Sequence, residues 1–284
     1  MTCGRFIAGS RVGHAPLALG HYRDRVTTSE LLPDIGSDPR RLVRLDAVHN
    51  FRDMGGYPTV DGRATKWGML FRADGLYRLT GDDLEAVRGL GLNTVIDLRT
   101  FAELEERGTF PRDEHPVNFH HVPIIDATWD VERAERATDA ADFLESAYLE
   151  MLEQGEHRLA EALVTLCVPG ALPAVFHCAA GKDRTGMLAM LVLGCLDVRP
   201  EYIIADYALT AEGMERMLAW SLREYPELHD RITAGPAVFA AAVPEAMSRM
   251  IDHVCNWHGT IREFALAMGV PSASIEHLRD ELLD

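Results

Sequence analysis

Three things are scarce in this 284-residue sequence: cysteine, long hydrophobic runs and basic residues. The five cysteines are scattered and form no CxxC pair, which argues against a disulfide scaffold and a structural zinc site. The longest apolar run, Met187–Leu196, is too short to cross a bilayer, so we expect no integral membrane segment. Because 44 acidic residues outnumber 28 basic ones, for a formal net charge of -16, nucleic acid and anionic membranes are disfavoured as partners.

The pattern of a secretory leader is also missing from residues 1–20, where Arg, His and Gly interrupt the apolar residues. We therefore expect a cytoplasmic protein. A chain of this length with 47% hydrophobic residues can bury a large core without help from metals or disulfides. It has no internal repeat, low-complexity tract or Gly/Ser linker, which favours one domain over two.

The character of the chain changes at about residue 40. Residues 1–40 show no clean periodicity and are interpreted as an N-terminal arm or irregular lead-in, and residues 41–284 as a single domain. Up to Leu196, strand-like apolar runs alternate with helical patterns, and after Pro200 the pattern is nearly all helical. The prediction is an α/β fold with a central, mostly parallel sheet flanked by helices and a helical C-terminal part.

Individual elements follow from the same patterns. Helix starts are indicated by two capping-box patterns, Thr80 with Asp83 and Thr260 with Glu263. Strands are predicted at 93–98, 117–125 and around 175–176. The main helices are predicted at 81–90, 101–107, 142–152, 156–167 and 237–258, with one or two helices within 201–221.

Two polar clusters interrupt the apolar pattern before residue 100. His49–Tyr57 contains a Gly-Gly turn, and its Arg52 and Asp53 are interpreted as a structural ion pair. Asp97 and Arg99 follow a buried strand, and the carboxyl ends of strands face the ligand crevice in open α/β sheets. Asp97 and Arg99 are therefore candidate substrate-binding residues, with a structural salt bridge at the strand end as the equal alternative.

The stretch with the clearest chemistry is HCAAGKDRTG, His177–Gly186, between a short apolar run and a helical pattern. A glycine-containing loop that leads into a helix N-terminus turns backbone N–H groups inward and forms a site for phosphate or another tetrahedral oxyanion. Arg184 adds a planar fork of donors that can hold two phosphate oxygens. The same positive field favours the thiolate form of Cys178, which five residues separate from Arg184.

A thiolate at the floor of a phosphate cradle predicts phosphoryl transfer through a cysteinyl-phosphate, followed by hydrolysis. We predict Cys178 as the nucleophile and Arg184 as the residue that stabilises the transition state. Asp183 is one candidate for the general acid and base, and Asp126 and Asp130 are others. The remaining candidate substrate-binding residues of the loop are Ala179, Ala180, Gly181, Lys182, Thr185 and Gly186.

Some of these residues carry more specific expectations. Thr185 is expected to hydrogen-bond to the nucleophile and to help expel it in the second step, and His177 to orient the loop through backbone contacts. Lys182 is expected to be a second cation at the rim that favours multiply charged substrates, with a solvated surface lysine as the alternative. Cys167 and Cys195 are expected to be core residues.

These motifs resemble a known family. The loop is similar to that of cysteine-dependent bacterial tyrosine and dual-specificity phosphatases, in particular those of the mycobacterial type. Further matches to that family are Asn50–Gly56 (NFRDMGG), Arg72–Asp74, Asp97–Arg99 (DLR), Asp206–Tyr207 and Pro244–Met247.

The resemblance implies a phosphatase α/β fold, no metal or other cofactor, and a phosphorylated protein as substrate. Activity on phosphotyrosine is expected, and phosphoserine, phosphothreonine and phosphoinositides are further substrates across the group. The resemblance also implies that Asp183 is the general acid and that residues 205–250 contain a helical lid. Some relatives are secreted without an ordinary signal peptide.

Three alternatives to a protein phosphatase stay open. Gly181-Lys182 resembles the loop of lipid phosphatases of the phosphatase-and-tensin type, which favours a phosphoinositide phosphatase, although the acidic chain disfavours membrane docking. A rhodanese-like sulfurtransferase typically has a loop that is one residue shorter. A non-catalytic phospho-binding module would not need Cys178, Asp183 and Arg184 together.

Overall fold

The centre of the fold is a five-stranded sheet, seen in a computed structural model that describes residues 32–128 and 131–284. The strands lie in the order β1-β2-β5-β3-β4; β1 is antiparallel to β2, and the other neighbours are parallel. The predicted α/β class with a mostly parallel sheet is confirmed. The strands are β1 (Arg52–Asp53), β2 (Leu70–Ala73), β3 (Thr94–Asp97), β4 (Asn118–His121) and β5 (Ala174–His177).

Helices cover both faces of this sheet and form the whole C-terminal part from Pro200 onward. Within the described residues they are α1 (Gly81–Arg88), α2 (Phe101–Arg107), α3 (Val131–Glu135), α4 (Ala140–Leu166), α5 (Asp183–Cys195), α6 (Pro200–Ala208), α7 (Thr210–Glu224), α8 (Pro226–Thr233), α9 (Pro244–His258), α10 (Ile261–Ala267) and α11 (Ser272–Leu282).

The central strand β5 is buried on both sides. Its Val175 lies beside Phe71 of β2 and Val95 of β3, and all three side chains are buried. One apolar layer is built mainly from α4, α5, α6 and α9, and a smaller one lies under α1. Because β2, β3 and β5 run parallel, their carboxyl ends meet at one edge, where ligands bind in this class of sheet.

Residues 140–166 form one continuous helix, so the prediction of two helices at 142–152 and 156–167 is wrong. Gly155 lies inside α4, where a Cβ would stand 2.5 Å from the carbonyl oxygen of Ile124. The glycine allows α4 to pack closely on the segment after β4. Its role is therefore packing rather than helix termination, and local sequence patterns do not separate the two.

The capping box predicted for α1 does not form. Thr80 is the N-cap residue, but its side chain makes no capping hydrogen bond. The Asp83 carboxylate instead accepts hydrogen bonds from the backbone N–H groups of Asp46 at 2.8 Å and Ala47 at 2.9 Å. Asp83 thus anchors the segment before β1, a long-range contact that the local pattern does not indicate.

Residues 205–250, the predicted lid, contain the end of α6, α7, α8 and the start of α9. The prediction of one helix at 237–258 is wrong, because Ala237–Phe239 forms a 3-10 turn and α9 starts at Pro244. Proline has no N–H group to donate and is therefore favoured in the first turn of a helix. No helix of the described residues is long and apolar enough to cross a membrane.

The division into an arm at 1–40 and a domain at 41–284 stays a prediction, and residues 1–31 of the arm lie outside the described residues. Ile35 lies within the described part of that range and is buried in the main core. The side chain of Arg41 donates hydrogen bonds to the carbonyl oxygens of Ile35 at 3.3 Å and Asp53 at 2.5 Å. The end of the predicted arm is therefore packed on the fold.

Candidate active site

The loop between β5 and α5 carries Cys178 at the carboxyl edge of the sheet. β5 ends at His177 and α5 begins at Asp183, so the residues between them form the predicted turn. Cys178 is 2% exposed, whereas Ala179 and Ala180 are half-buried. The thiol therefore lies at the floor of the loop, beside the N-terminus of a 13-residue helix whose dipole favours an anion.

Gly181 brings this loop against β2. Its φ is +66°, and a Cβ at this position would lie 2.5 Å from the carbonyl oxygen of Ala73. Any other residue would both strain the backbone and collide with the strand. The turn and the packing therefore each require a glycine here.

Donors from outside the loop hold its backbone carbonyls at residues 179–181. Gly75 N–H donates to the first at 3.2 Å, and Asn50 Nδ2 donates to the second and third at 3.0 and 3.2 Å. Arg72 Nη2 also donates to the third at 2.7 Å. In a trans peptide the N–H points away from the C=O, so these bonds turn the following N–H groups toward the anion side of the loop.

A buried ion network stands behind these donors. Asp206 of α6 accepts from Arg52 Nε at 2.9 Å and from the Tyr57 hydroxyl at 2.8 Å, and it also binds Arg72. All four side chains are 2% exposed or less. Burial alone would raise the pKa of Asp206, but the two guanidinium charges outweigh it and lower this pKa below its ordinary value.

The predicted ion pair between Arg52 and Asp53 is wrong. Arg52 binds Asp206, while the Asp53 carboxylate accepts backbone hydrogen bonds from Gly55 at 2.8 Å and Gly68 at 2.7 Å. Neighbours along a strand point to opposite faces of the sheet, so the two side chains cannot easily meet.

Arg184 is fixed by Glu103, a residue that the sequence reasoning missed. The two terminal nitrogens of Arg184 reach both carboxylate oxygens of Glu103, one of them at 3.0 Å. Glu103 also forms the capping box of α2 with Thr100. Burial opposes ionisation of Glu103, but the hydrogen bonds and charge of Arg184 outweigh it and lower its pKa to about 2. The Thr-x-x-Glu spacing after the DLR motif indicates the capping role of Glu103 but not its contact with Arg184.

Asp97 and Arg99 form the structural ion pair that the sequence left as the alternative. Both are fully buried, and Arg99 Nε lies 2.9 Å from Asp97 Oδ1. His177 Nε2 lies 3.6 Å from Asp97, and its Nδ1 lies 3.2 Å from the Cys178 carbonyl oxygen, as expected for a residue that orients the loop. Burial lowers the pKa of His177. A substrate contact from Asp97 or Arg99 stays a prediction.

Lys182 lies elsewhere than either sequence interpretation expected. Its side chain is fully buried, and Nζ donates to the carbonyl oxygens of Phe239 at 2.7 Å, Ala241 at 2.8 Å and Val238 at 3.3 Å. Burial lowers its pKa. Lys182 thus ties the segment before α9 to the loop, and it is neither a solvated lysine nor an open cation at the rim.

Two of the remaining loop residues are buried at the start of α5. The Thr185 hydroxyl has no hydrogen-bond partner among the described residues, so the expected bond to Cys178 is not formed in this structure. Gly186 donates its N–H to the Lys182 carbonyl at 2.7 Å and packs against the ring of Tyr207. Their contacts with substrate stay predictions.

A cavity of about 300 Å³ opens next to Arg184 and Asp183. Asp183 is half-buried there, and its Oδ1 accepts a hydrogen bond of 2.6 Å from the Tyr148 hydroxyl. The rest of the lining is largely apolar and consists of Ile125, Thr128, Val131, Met151 and Phe239. Walls of this kind suit an aromatic or aliphatic group.

The alternative acids are placed differently. The side chain of Asp126 is 81% exposed and pairs with Arg158 at 2.7 Å. Asp130 lies outside the described residues. Among the described candidates, Asp183 is the one that lines the cavity beside Arg184.

Two other cysteines show what burial alone does to a thiol. Cys167 and Cys195 are core residues, as predicted, and burial raises the pKa of each thiol to about 12. Neither stands at a helix N-terminus, so both stay neutral thiols.

The comparison with known families agrees with this site. Residues 43–284 match the model of a family described as the tyrosine phosphatase family, and the chain belongs to it. The predicted family is thereby confirmed.

Individual relatives carry similar names. A Mycobacterium tuberculosis protein, the triple specificity protein phosphatase PtpB, is 25% identical over 279 residues, covering 84% of this chain and 98% of that protein. A Cupriavidus necator protein named as a candidate tyrosine-protein phosphatase is 31% identical over 177 residues, which span 59% of this chain and 62% of the relative. The crystal structure of Pseudomonas aeruginosa TpbA overlaps with a TM-score of 0.31 at 15% identity, covering 69% of this chain and 98% of that one.

Proposed function

We propose that the protein hydrolyses phosphate monoesters through a cysteinyl-phosphate on Cys178, with phosphotyrosine as the preferred substrate. The observation that carries the proposal is one arrangement. A buried thiol lies at the floor of a braced loop, and Glu103 holds the guanidinium of Arg184 at the other end of that loop. Membership of a tyrosine phosphatase family supports the same chemistry.

In the first step, the Cys178 thiolate attacks phosphorus and the bond to the leaving oxygen breaks. Charge on the equatorial oxygens is met by the inward N–H groups of the loop and by Arg184. Glu103 engages only part of the five N–H donors of a guanidinium, so others remain for phosphate. In the second step, water attacks the cysteinyl-phosphate and releases the thiolate.

We assign the proton transfers to Asp183. As an acid it protonates the leaving oxygen, and as a carboxylate it then takes a proton from the attacking water. Its place in the cavity wall beside Arg184 supports this role, as does the exposure of Asp126 and its pairing with Arg158.

Phosphotyrosine is the preferred substrate because the nucleophile lies deep. Cys178 is 2% exposed, and the cavity next to Arg184 and Asp183 is lined by apolar groups such as Ile125, Met151 and Phe239. A phenyl ring can bridge that depth and contact those walls, whereas the side chain of phosphoserine is shorter. Lys182 is engaged by carbonyl oxygens, which disfavours a phosphoinositide headgroup with several phosphates.

We also propose that residues 205–250 act as the lid, since Phe239 forms part of the cavity wall. We further propose that the protein is cytoplasmic, as the sequence led us to expect. The name of the M. tuberculosis relative, a triple specificity phosphatase, is a reason to test more than one substrate class.

The test is phosphate release from a phosphotyrosine peptide, a phosphoserine peptide and phosphoinositide vesicles. Cys178→Ser is expected to lose activity by about 10³-fold or more on every substrate that the wild type accepts. Cys167→Ser is the matched control, because its hydroxyl can keep the hydrogen bond that Cys167 donates to the Leu163 carbonyl at 3.2 Å. Equal activity of wild type and Cys178→Ser would rule out the mechanism.

A further inference from the structure

A buried tyrosine of α4 contacts the carboxylate of Asp183. Tyr148 is fully buried in the main core, and its hydroxyl donates to Asp183 Oδ1 at 2.6 Å. Short hydrogen bonds to a carboxylate are stronger than those between neutral groups. The oxygen of the proposed acid is therefore held from the protein interior.

A second tyrosine, Tyr207, extends this hydrogen bond into the interior. The Tyr207 hydroxyl lies 2.6 Å from the Tyr148 hydroxyl, and the two rings meet edge to face with centroids 6.2 Å apart. Burial and the nearby charge of Asp183 raise the pKa of Tyr148 well above its ordinary value, so its proton stays in place. Since that proton points to Asp183, Tyr207 donates to Tyr148.

The two oxygens of Asp183 are consequently not equivalent. Lys182 Nζ lies 3.6 Å from Oδ1, the same oxygen that Tyr148 binds. The hydrogen bond from Tyr148 and the charge of Lys182 therefore both act on Oδ1, and Oδ2 is the oxygen that can carry a transferable proton. A carboxyl group with one oxygen fixed keeps the other in one orientation, which proton transfer requires.

We propose that Tyr148 is a positioning residue that aims Oδ2 of Asp183 at the leaving oxygen, with Tyr207 supporting it. This inference rests on the proposed function. In the step concerned, the sulfur–phosphorus bond forms as the bond to the leaving oxygen breaks, and the proton on Oδ2 passes to that oxygen. Asp183 is left as a carboxylate, still bound through Oδ1 to Tyr148.

The first experiment compares wild type with Tyr148→Phe on phenyl phosphate, a poor leaving group, and 4-nitrophenyl phosphate, a good one. The variant keeps the ring and loses only the hydroxyl. We expect kcat/KM, which reports the step in which the leaving oxygen departs, to fall about 10-fold with phenyl phosphate and by about 2-fold or less with 4-nitrophenyl phosphate. Tyr202→Phe, whose ring lies near that of Tyr57, is the matched control and should leave both rates unchanged.

The second experiment repeats Tyr148→Phe in an Asp183→Asn background. An asparagine has no acidic proton to transfer, so the tyrosine then positions no acid and the second substitution should change kcat/KM for phenyl phosphate by less than about 2-fold. A fall of the same size in both backgrounds would overturn the inference, as would an equal loss with both leaving groups. Either result would mean that Tyr148 acts through the fold alone.

Two further measurements separate the ways of failing. If thermal unfolding shows that Tyr148→Phe is unfolded at the assay temperature, Tyr207→Phe replaces it, with the same leaving-group dependence expected at about 3-fold with phenyl phosphate. Absence of that dependence would contradict the inference. If Cys178→Ser stays active, the proposed function fails; if Cys178→Ser is inactive and both tyrosine variants behave as wild type, only this inference fails.

Discussion

The two sides of the Cys178 loop are held by different kinds of interaction. Behind the loop, Arg52, Arg72 and Asp206 form a fully buried ion network that holds loop carbonyls in place. In front, the half-buried Asp183 is held by a neutral tyrosine, and Lys182 is held by backbone carbonyl oxygens. The rear wall therefore holds the shape of the loop, whereas the front contains the residue to which we assign the proton transfers and part of the proposed lid.

This contrast predicts that the free energy of unfolding depends mainly on the residues behind the loop. The rate of catalysis should depend mainly on the residues in front of it. Leaving a buried charge without its partner is costly, so substitutions behind the loop should lower the free energy of unfolding. In front, Asp183 is only half-buried, so its hydrogen bond with Tyr148 contributes less to stability, and in our proposal this bond sets the position of the reacting group.

Removing the centre of the rear network should have the largest effect on stability. Asp206→Ala leaves Arg52 and Arg72 buried without their shared carboxylate, and we expect a loss of about 3 to 5 kcal/mol in the free energy of unfolding. Urea denaturation measures it. The control is Glu132→Ala, which breaks an exposed pair with Arg136 and should cost less than about 1 kcal/mol. Similar losses for the two variants would contradict this contrast.

Changing the front should affect rate rather than stability. Asp183→Asn is expected to lower kcat/KM for phenyl phosphate by about 10²-fold, with a much smaller effect on kcat/KM for 4-nitrophenyl phosphate, because a good leaving group needs no proton. Urea denaturation should show little change. If Asp126→Asn gives this leaving-group pattern and Asp183→Asn does not, the acid is assigned wrongly.

The ionisation of Glu103 makes the stability of the protein depend on pH. Its pKa is about 2 in the folded protein and 4.5 ordinarily, so between these values the unfolded chain binds more protons and stability falls as the pH falls. Glu103→Gln should lose stability of about 2 kcal/mol above pH 4.5 and show a shallower decline toward pH 2 than wild type. Parallel pH profiles for the two proteins would contradict this account.

The smallest expected effect is at Lys182. Lys182→Met removes a buried charge together with its bonds to Phe239 and Ala241, two effects that offset each other, so global stability should change by less than about 1 kcal/mol. Amide hydrogen exchange of residues 237–241 should nevertheless become about 10-fold faster. Unchanged exchange in that segment would show that Lys182 does not hold it.

Local patterns in the sequence predicted the parts of the site that depend on neighbours along the chain. The strand–loop–helix around Cys178 and the bounds of α2 follow from apolar spacing and turn residues. The same reasoning failed where the partner is distant. Three contacts join segments that lie far apart in the sequence. They are Arg184 with Glu103, Arg52 with Asp206, and the buried Lys182 with the carbonyl oxygen of Phe239. Spacing rules carry no information on such pairs.

The family resemblance found two of these distant pieces without explaining them. Asn50–Gly56 and Asp206–Tyr207 match family motifs, and the structure shows that Arg52 and Asp206 meet behind the loop. Tyr207 of the second motif also supports the tyrosine beside Asp183. Gly155 misled the local reasoning, because glycine favours a helix break. It lies inside α4 because the helix approaches Ile124 closely at this point.

The central claim is that Cys178 becomes phosphorylated during turnover. The most direct measurement is rapid acid quenching of the protein with excess phosphotyrosine peptide, followed by digestion and mass spectrometry of the peptide that contains Cys178. We predict an added phosphoryl group on the sulfur of Cys178 in the wild type and none in Cys178→Ser. Turnover without any such adduct, or an adduct on another residue that persists in Cys178→Ser, would contradict the account.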